Sequence, residues 1–145
     1  MEISINFLAV GIAVVANFFL GALWYGPLFG KAWAAEMGMN LDDRPDKWVM
    51  IRGMLLMVVG NFLTAYCYAF DLIAWSYMPG MEEVGLQSWT FIGMSAFFIW
   101  LGFYVPTHIG AVTWERKSWK LTAINLAYHF ATLLVVATLL VKLAN

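Results

Sequence analysis

Polar side chains that interrupt long apolar stretches are the residues of this sequence best suited to binding chemistry. Asn17 and Asn61 each lie well inside such a stretch, and Asn125, Tyr128 and His129 lie together in another. Amide, phenol and imidazole groups all donate and accept hydrogen bonds, and polar residues inside membrane-spanning helices often mark binding sites or pathways. We interpret them as a candidate ligand site. The competing interpretation is that they form interhelical hydrogen bonds that only hold the helices together.

Helical spacing predicts which of these groups face the same way. Four polar residues of the last stretch follow the i, i+3, i+4, i+7 spacing of one helical face: Asn125, Tyr128, His129 and Thr132. Thr64 and Tyr68 share a face with Asn61, and the first stretch places Asn17 on a face of small residues with Ala9, Ala13 and Gly21. The predicted ligand site therefore comprises Asn17, Asn61, Thr64, Asn125, Tyr128 and His129.

The sequence lacks the common signatures of catalysis. It contains no G-x-S-x-G, H-E-x-x-H, P-loop or dinucleotide-binding motif, and Cys67 is its single cysteine. We therefore expect no enzyme, no catalytic residue, no cofactor and no metal site. An intramembrane enzyme that uses His108 and Arg116 at the membrane interface is a third, weaker hypothesis.

Titratable groups also bear on the possible chemistry. Arg52 and Asp71 are expected near opposite ends of the second apolar stretch, and a proton-coupled pump normally needs a carboxylate deeper in the membrane. His108 follows Pro106 at the expected inner end of the third stretch. We expect it at a different depth from His129, which disfavours a haem held by two histidines.

The elements that must position these residues are membrane-spanning helices. Apolar residues make up 63% of the 145 residues and charged residues 12%, far from the balance of a soluble domain. Each of four apolar stretches has close to the ~20 residues that a helix needs to cross a bilayer. We predict an all-α membrane bundle with spans at about 5–25, 49–72, 89–109 and 121–141. The net charge of −1 argues against nucleic acid as a partner.

The distribution of basic residues predicts the orientation. The connections between spans 1 and 2 and between spans 3 and 4 carry seven basic residues, counting one at the start of span 2: Lys31, Arg44, Lys47, Arg52, Arg116, Lys117 and Lys120. The opposite side has Lys142 alone. Because short basic loops stay in the cytoplasm, both termini are predicted to lie on the other side of the membrane, which is the periplasm if the membrane is a bacterial inner membrane.

The first connection is predicted to contain a short helix. Gly26-Pro27 is expected to end span 1, because proline lacks the amide that the helix would use. Phe29, Trp33 and Met37 then share a helical face, which predicts an interfacial helix at about 28–38.

Two motifs resemble a known family. GALWYGPLFGKAW (Gly21–Trp33) and RKSWKLTAINLAYH (Arg116–His129) resemble the bacterial four-span membrane family called domain of unknown function 1761. The resemblance covers essentially the whole chain. It implies a fold and a membrane location, but no reaction, cofactor or site residue.

The sequence also resembles itself at an offset of 79 positions. The matching pairs include Phe18 with Phe97, Tyr25 with Tyr104 and Pro27 with Pro106. These pairs indicate either a parallel duplication of two halves or a chance match between aromatic-rich membrane segments.

Two functions follow from these patterns. The first is a homo-oligomer that binds or passes a small or lipophilic solute through the polar residues, with membrane lipid around it. The alternative is a structural or accessory subunit of a larger membrane complex.

Overall fold

The computed structural model describes residues 5–40 and 42–143 of the chain. Within these residues the protein is helical and has no strands. Four helical stretches are long and apolar enough to cross a membrane: Phe7–Leu28, Lys47–Ser76, Trp89–Glu115 and Trp119–Lys142. The predicted fold class, an all-α bundle with four such helices, is confirmed.

The helical elements have the following bounds. Helix α1 (Phe7–Leu23) continues into a π-helical segment, Trp24–Leu28, and α2 (Gly30–Glu36) follows. The second long helix is α3 (Lys47–Ser76), and α4 (Met81–Val84) is a single turn. The third consists of α5 (Trp89–Ile99), a π-helical segment (Trp100–Tyr104) and α6 (Val105–Glu115). The last is α7 (Trp119–Lys142).

Each long helix begins at a residue whose side chain accepts a hydrogen bond from a backbone amide of the first turn. Asn6, Asp46, Ser88 and Ser118 have this role for α1, α3, α5 and α7. Such caps satisfy amides that the helix itself leaves unpaired, which is most important where little water is present. The caps therefore fix where each long helix starts.

Small residues let the four long helices approach closely. Each contributes an alanine that is 0% exposed: Ala13, Ala65, Ala96 and Ala137. Helix α7 packs against α1, α3 and α5, and α1 also packs against α3. In lipid, where no hydrophobic force drives helices together, close packing of this kind supplies much of the association energy. Helix α7 is thus the centre of the bundle.

The outer surface is apolar along much of its length. On α3, Leu55, Leu56 and Leu63 are each more than half exposed. Trp114 and Trp119 near one end of the bundle, and Trp89 near the other, are more than two-thirds exposed. Lipid covers the apolar surface of a membrane protein, and indole rings favour the headgroup region.

Pro27 and Pro106 lie within or next to the two π-helical segments. Span 1 was expected to stop at Gly26-Pro27, but the helix passes Pro27 and reaches Leu28. Pro106 lies in the first turn of α6, directly after the second π-helical segment. A wider π turn accommodates the missing amide and the proline ring, so the third span continues beyond Pro106, whereas span 1 ends one residue after Pro27.

Contacts at each end of the bundle establish which connections lie together. Glu36 of α2 accepts a hydrogen bond from Ser118, and its carboxylate lies 3.6 Å from the Lys120 amine. At the other end Asn6 donates to the Leu143 carbonyl at 2.7 Å, and Lys142 donates to the Gln87 carbonyl. The connections that carry most of the basic residues therefore share one end.

Candidate functional site

Asn17 is the most deeply buried polar side chain of the predicted site. It lies on α1 between Ala13 and Gly21, with an exposure of 0%, and neither its amide nitrogen nor its carbonyl oxygen has a hydrogen-bond partner. A buried amide without partners costs about 1–3 kcal/mol. Packing alone gives no reason for this residue, because an apolar side chain of similar size avoids that cost.

Asn61 and Thr132 lie at the level of Asn17. A Cβ atom added at Gly21 would lie 2.3 Å from the Met57 methyl group and 3.0 Å from the Tyr128 hydroxyl, so α1, α3 and α7 meet there. One turn towards the other end, roughly 6 Å away, the three helices present Asn17, Asn61 and Thr132. Asn61 is 8% exposed with an unpaired amide nitrogen, and Thr132 is 5% exposed. We call these three residues the buried polar layer.

Asn125 forms a hydrogen bond within the chain and is not part of the buried polar layer. Its side-chain oxygen accepts a hydrogen bond of 2.9 Å from the Tyr25 hydroxyl. The Trp24 indole donates to the Ile124 carbonyl at 3.3 Å, and the Tyr25 and Tyr128 rings meet edge to face at 4.9 Å between centroids. The first π-helical segment thus anchors span 1 to α7. Asn125 has this structural role in the described residues.

His129 faces the third span and not the buried polar layer. Its ring centroid lies 4.5 Å from that of Tyr104 and 5.2 Å from that of His108. Both Asn17 amide atoms are unpaired, so His129 makes no direct hydrogen bond to that side chain. Tyr128 and His129 are successive residues, about 100° apart around the helix, so they face different neighbours.

The structure also corrects the expected position of His108. Span 3 continues to Glu115, roughly 10 Å beyond His108, so this residue does not lie at the end of the helix. The rings of His108 and His129 lie 5.2 Å apart between centroids, so the two residues are at a similar depth and not at the different depths expected. The His108 Nδ1 atom lies 2.9 Å from the Tyr104 carbonyl oxygen, which can only accept. In the neutral ring Nδ1 is then the donor and Nε2 keeps its lone pair. Within the described residues no three His, Cys, Asp or Glu side chains are placed to hold a metal ion.

A lateral groove between α3 and the third span contains polar groups that spacing alone did not bring together. Its volume is about 310 Å³, and its lining residues include Thr64, Tyr68, Asp71 and Tyr104. Thr64 donates to the Gly60 carbonyl of its own helix at 3.0 Å. We call this feature the Asp71 groove.

Asp71 lies further from the end of its helix than the sequence suggested. Helix α3 continues five residues beyond it to Ser76, and the Asp71 Oδ2 atom is buried without a hydrogen-bond partner. The sequence placed Thr64 and Tyr68 on the face of Asn61, and the missed signal was that the same helical spacing continues to Asp71.

Comparison with known proteins gives a single result on the family. The family described as "Protein of unknown function (DUF1761)" matches residues 8–141, which is nearly the whole chain. No curated protein and no solved structure matches this chain.

Proposed function

We propose that this chain, which belongs to the family described as protein of unknown function (DUF1761), is a homo-oligomeric protein of the bacterial inner membrane that binds or passes a small or lipophilic solute. The observation that carries the proposal is the unpaired amide of Asn17 at 0% exposure. A polar group that is buried without a protein partner is retained most readily where it serves recognition.

The buried polar layer supplies the recognition chemistry. Asn17 and Asn61 offer two amide groups, and Thr132 adds a hydroxyl, so the layer contains both donors and acceptors. Four helices of this length enclose little space, and a continuous pathway through one copy would be narrow. Symmetric assembly of several copies is the common way in which small membrane proteins build a larger site.

Native mass spectrometry of protein released from mild detergent tests this function. We expect more than one copy per particle and a retained small molecule or lipid. The retained mass should be absent from the Asn17→Leu protein, which keeps the volume of the layer but removes the amide.

Two results would count against the proposal. Retention of the same molecule by the Asn17→Leu protein would show that the buried polar layer is not the binding site. A foreign protein bound in fixed stoichiometry, with no retained solute, would favour the alternative of an accessory subunit in a larger complex.

A further inference from the structure

Asp71, in the wall of the Asp71 groove, is partly buried and has one unsatisfied carboxylate oxygen. Asp71 Oδ2 is buried and has no hydrogen-bond partner, and the neighbouring Tyr68 hydroxyl is already engaged. Ser95 donates its only proton to the Ile92 carbonyl at 3.0 Å, so Tyr68 must donate to Ser95 across their 3.0 Å contact. The Tyr68 proton is therefore not available to Asp71.

No basic side chain of the chain pairs with this carboxylate. All eight Lys and Arg residues lie in the part of the chain that the structure describes, and the ion pair found there joins Lys120 to Glu36. Arg52, on the same helix, is roughly 28 Å from Asp71 along the axis. Lys142 donates to the Gln87 carbonyl and lies 5.1 Å from the Trp89 ring centre. The described Lys and Arg residues therefore supply no counter-charge for Asp71, and a bound cation would supply one.

The walls of the groove suit a cation with apolar substituents. Tyr68, Phe103 and Tyr104 supply aromatic rings, and Ile99 and Leu133 supply aliphatic surface. Aromatic faces attract cations, most strongly when water is excluded. A neutral donor can satisfy the hydrogen bonding of a carboxylate but not its charge, which needs a counter-charge in surroundings of low dielectric constant.

The groove opens towards the outer surface of the bundle. Phe103 in its wall is 73% exposed, and Cys67, one turn before Asp71, is also exposed. Because the groove opens along the sides of two apolar helices that are long enough to cross a membrane, we expect a ligand to enter from the lipid.

We infer that the Asp71 groove binds a membrane-soluble organic cation, an amine or a quaternary ammonium or phosphonium ion with apolar substituents, whose charge pairs with the Asp71 carboxylate. This inference goes beyond the proposed function, because it assigns a second site with its own class of ligand. The site differs from the buried polar layer, so the two are separable by mutation.

Equilibrium dialysis of the whole protein in phosphatidylcholine nanodiscs tests this ligand class. The probe is tetraphenylphosphonium, and tetraphenylborate is an anion of the same shape. Relative to nanodiscs without protein, we expect saturable extra binding of the cation and no extra binding of the anion. Asp71→Asn, which preserves the side-chain shape, should weaken cation binding by about tenfold or more, the loss of one charged interaction. Glu83→Gln removes an exposed acid outside the groove and is the matched control, with binding as in the wild type.

Three results would overturn the inference: equal cation affinity in Asp71→Asn, equal affinity for the anion, or no binding of the cation. The proposed function is tested separately in each case, because retention of a neutral solute that depends on Asn17 would stand without the cation site. Loss of both retention and cation binding would reject the two together.

The single cysteine gives a readout that needs no substitution at Asp71. Cys67 lies in the groove, so bound tetraphenylphosphonium should slow its alkylation by N-ethylmaleimide, whereas tetraphenylborate should not. An alkylation rate unchanged by the cation, or slowed equally by the anion, would place the cation elsewhere and overturn the inference.

Discussion

Asn17 and Asn125 carry the same amide group in opposite surroundings. Both amide atoms of Asn17 are unpaired at 0% exposure, whereas the Asn125 oxygen accepts a hydrogen bond from Tyr25. The first amide lowers the stability of the bundle, and the second contributes to it. Only the first requires an explanation beyond packing.

This contrast predicts opposite effects of one substitution at two positions. Asn17→Leu removes an unsatisfied polar group, and we expect it to raise the free energy of unfolding by about 1–3 kcal/mol. Asn125→Leu leaves the Tyr25 hydroxyl without its partner and should lower the free energy by a similar amount. Thermal unfolding of both variants in one detergent measures the difference. A destabilised Asn17→Leu protein would show that the amide is structurally important after all.

A second residue-scale prediction concerns the tautomer of His108. Because the Tyr104 carbonyl can only accept, the neutral His108 ring should carry its proton on Nδ1. Carbon and nitrogen chemical shifts of histidine-labelled protein distinguish the two tautomers, and His108→Gln assigns the signal. A dominant Nε2–H form would mean that the bond to Tyr104 is absent.

At the scale of elements, the π-helical segments explain much of what the sequence did not predict. Each places aromatic residues against α7: Trp24 donates to the Ile124 carbonyl, and Trp100 donates to the Leu126 carbonyl at 2.8 Å. Both segments lie at or just before a proline, Pro27 and Pro106, that the internal repeat pairs. The repeat remains a hypothesis, but its two prolines have the same local consequence.

Apolar length and charge were sufficient to predict the four long helices, because both depend on local composition. Which polar groups meet depends on the rotation of each helix about its axis. Spacing grouped His129 with Tyr128, yet His129 contacts the third span, because a helical face about 100° wide touches two neighbours. Asp71 was missed because the length of α3 beyond the apolar core of its span cannot be read from hydropathy.

The junction between span 1 and α2 makes an element-scale prediction with a matched control. A Cβ atom at Gly30 would lie 2.5 Å from the Tyr25 carbonyl oxygen, a backbone atom that cannot move aside, whereas nothing lies within 4 Å at Gly26. Gly30→Ala should therefore lower the free energy of unfolding by about 1–3 kcal/mol and separate α2 from the bundle. Gly26→Ala should stay close to the wild type in the same unfolding measurement. Equal effects of the two substitutions would contradict the close approach at Gly30.

At the scale of the whole molecule, the contacts at the two ends give the charge bias a structural basis. The contacts of Glu36 with Ser118 and Lys120 hold the two basic connections at one end, and Asn6 bonds to the Leu143 carbonyl at the other. Most of the basic residues therefore lie at one end of the bundle and are not divided evenly between its two ends. Whichever way the protein inserts, both basic connections must lie on the same side of the membrane.

The orientation prediction follows from that arrangement. Seven of the eight Lys and Arg residues belong to the end with the basic connections, counting Arg52 in the second turn of α3, and basic loops resist translocation. We therefore expect both termini in the periplasm. Alkaline phosphatase fused after Asn145 should be active, and green fluorescent protein at the same position should be dark. A fusion truncated after Lys117 is the control and should give the reverse pattern. Bright fluorescence at the C-terminus without phosphatase activity would show that the bundle has the opposite orientation. The end of α3 that carries Asp71 would then lie on the cytoplasmic side.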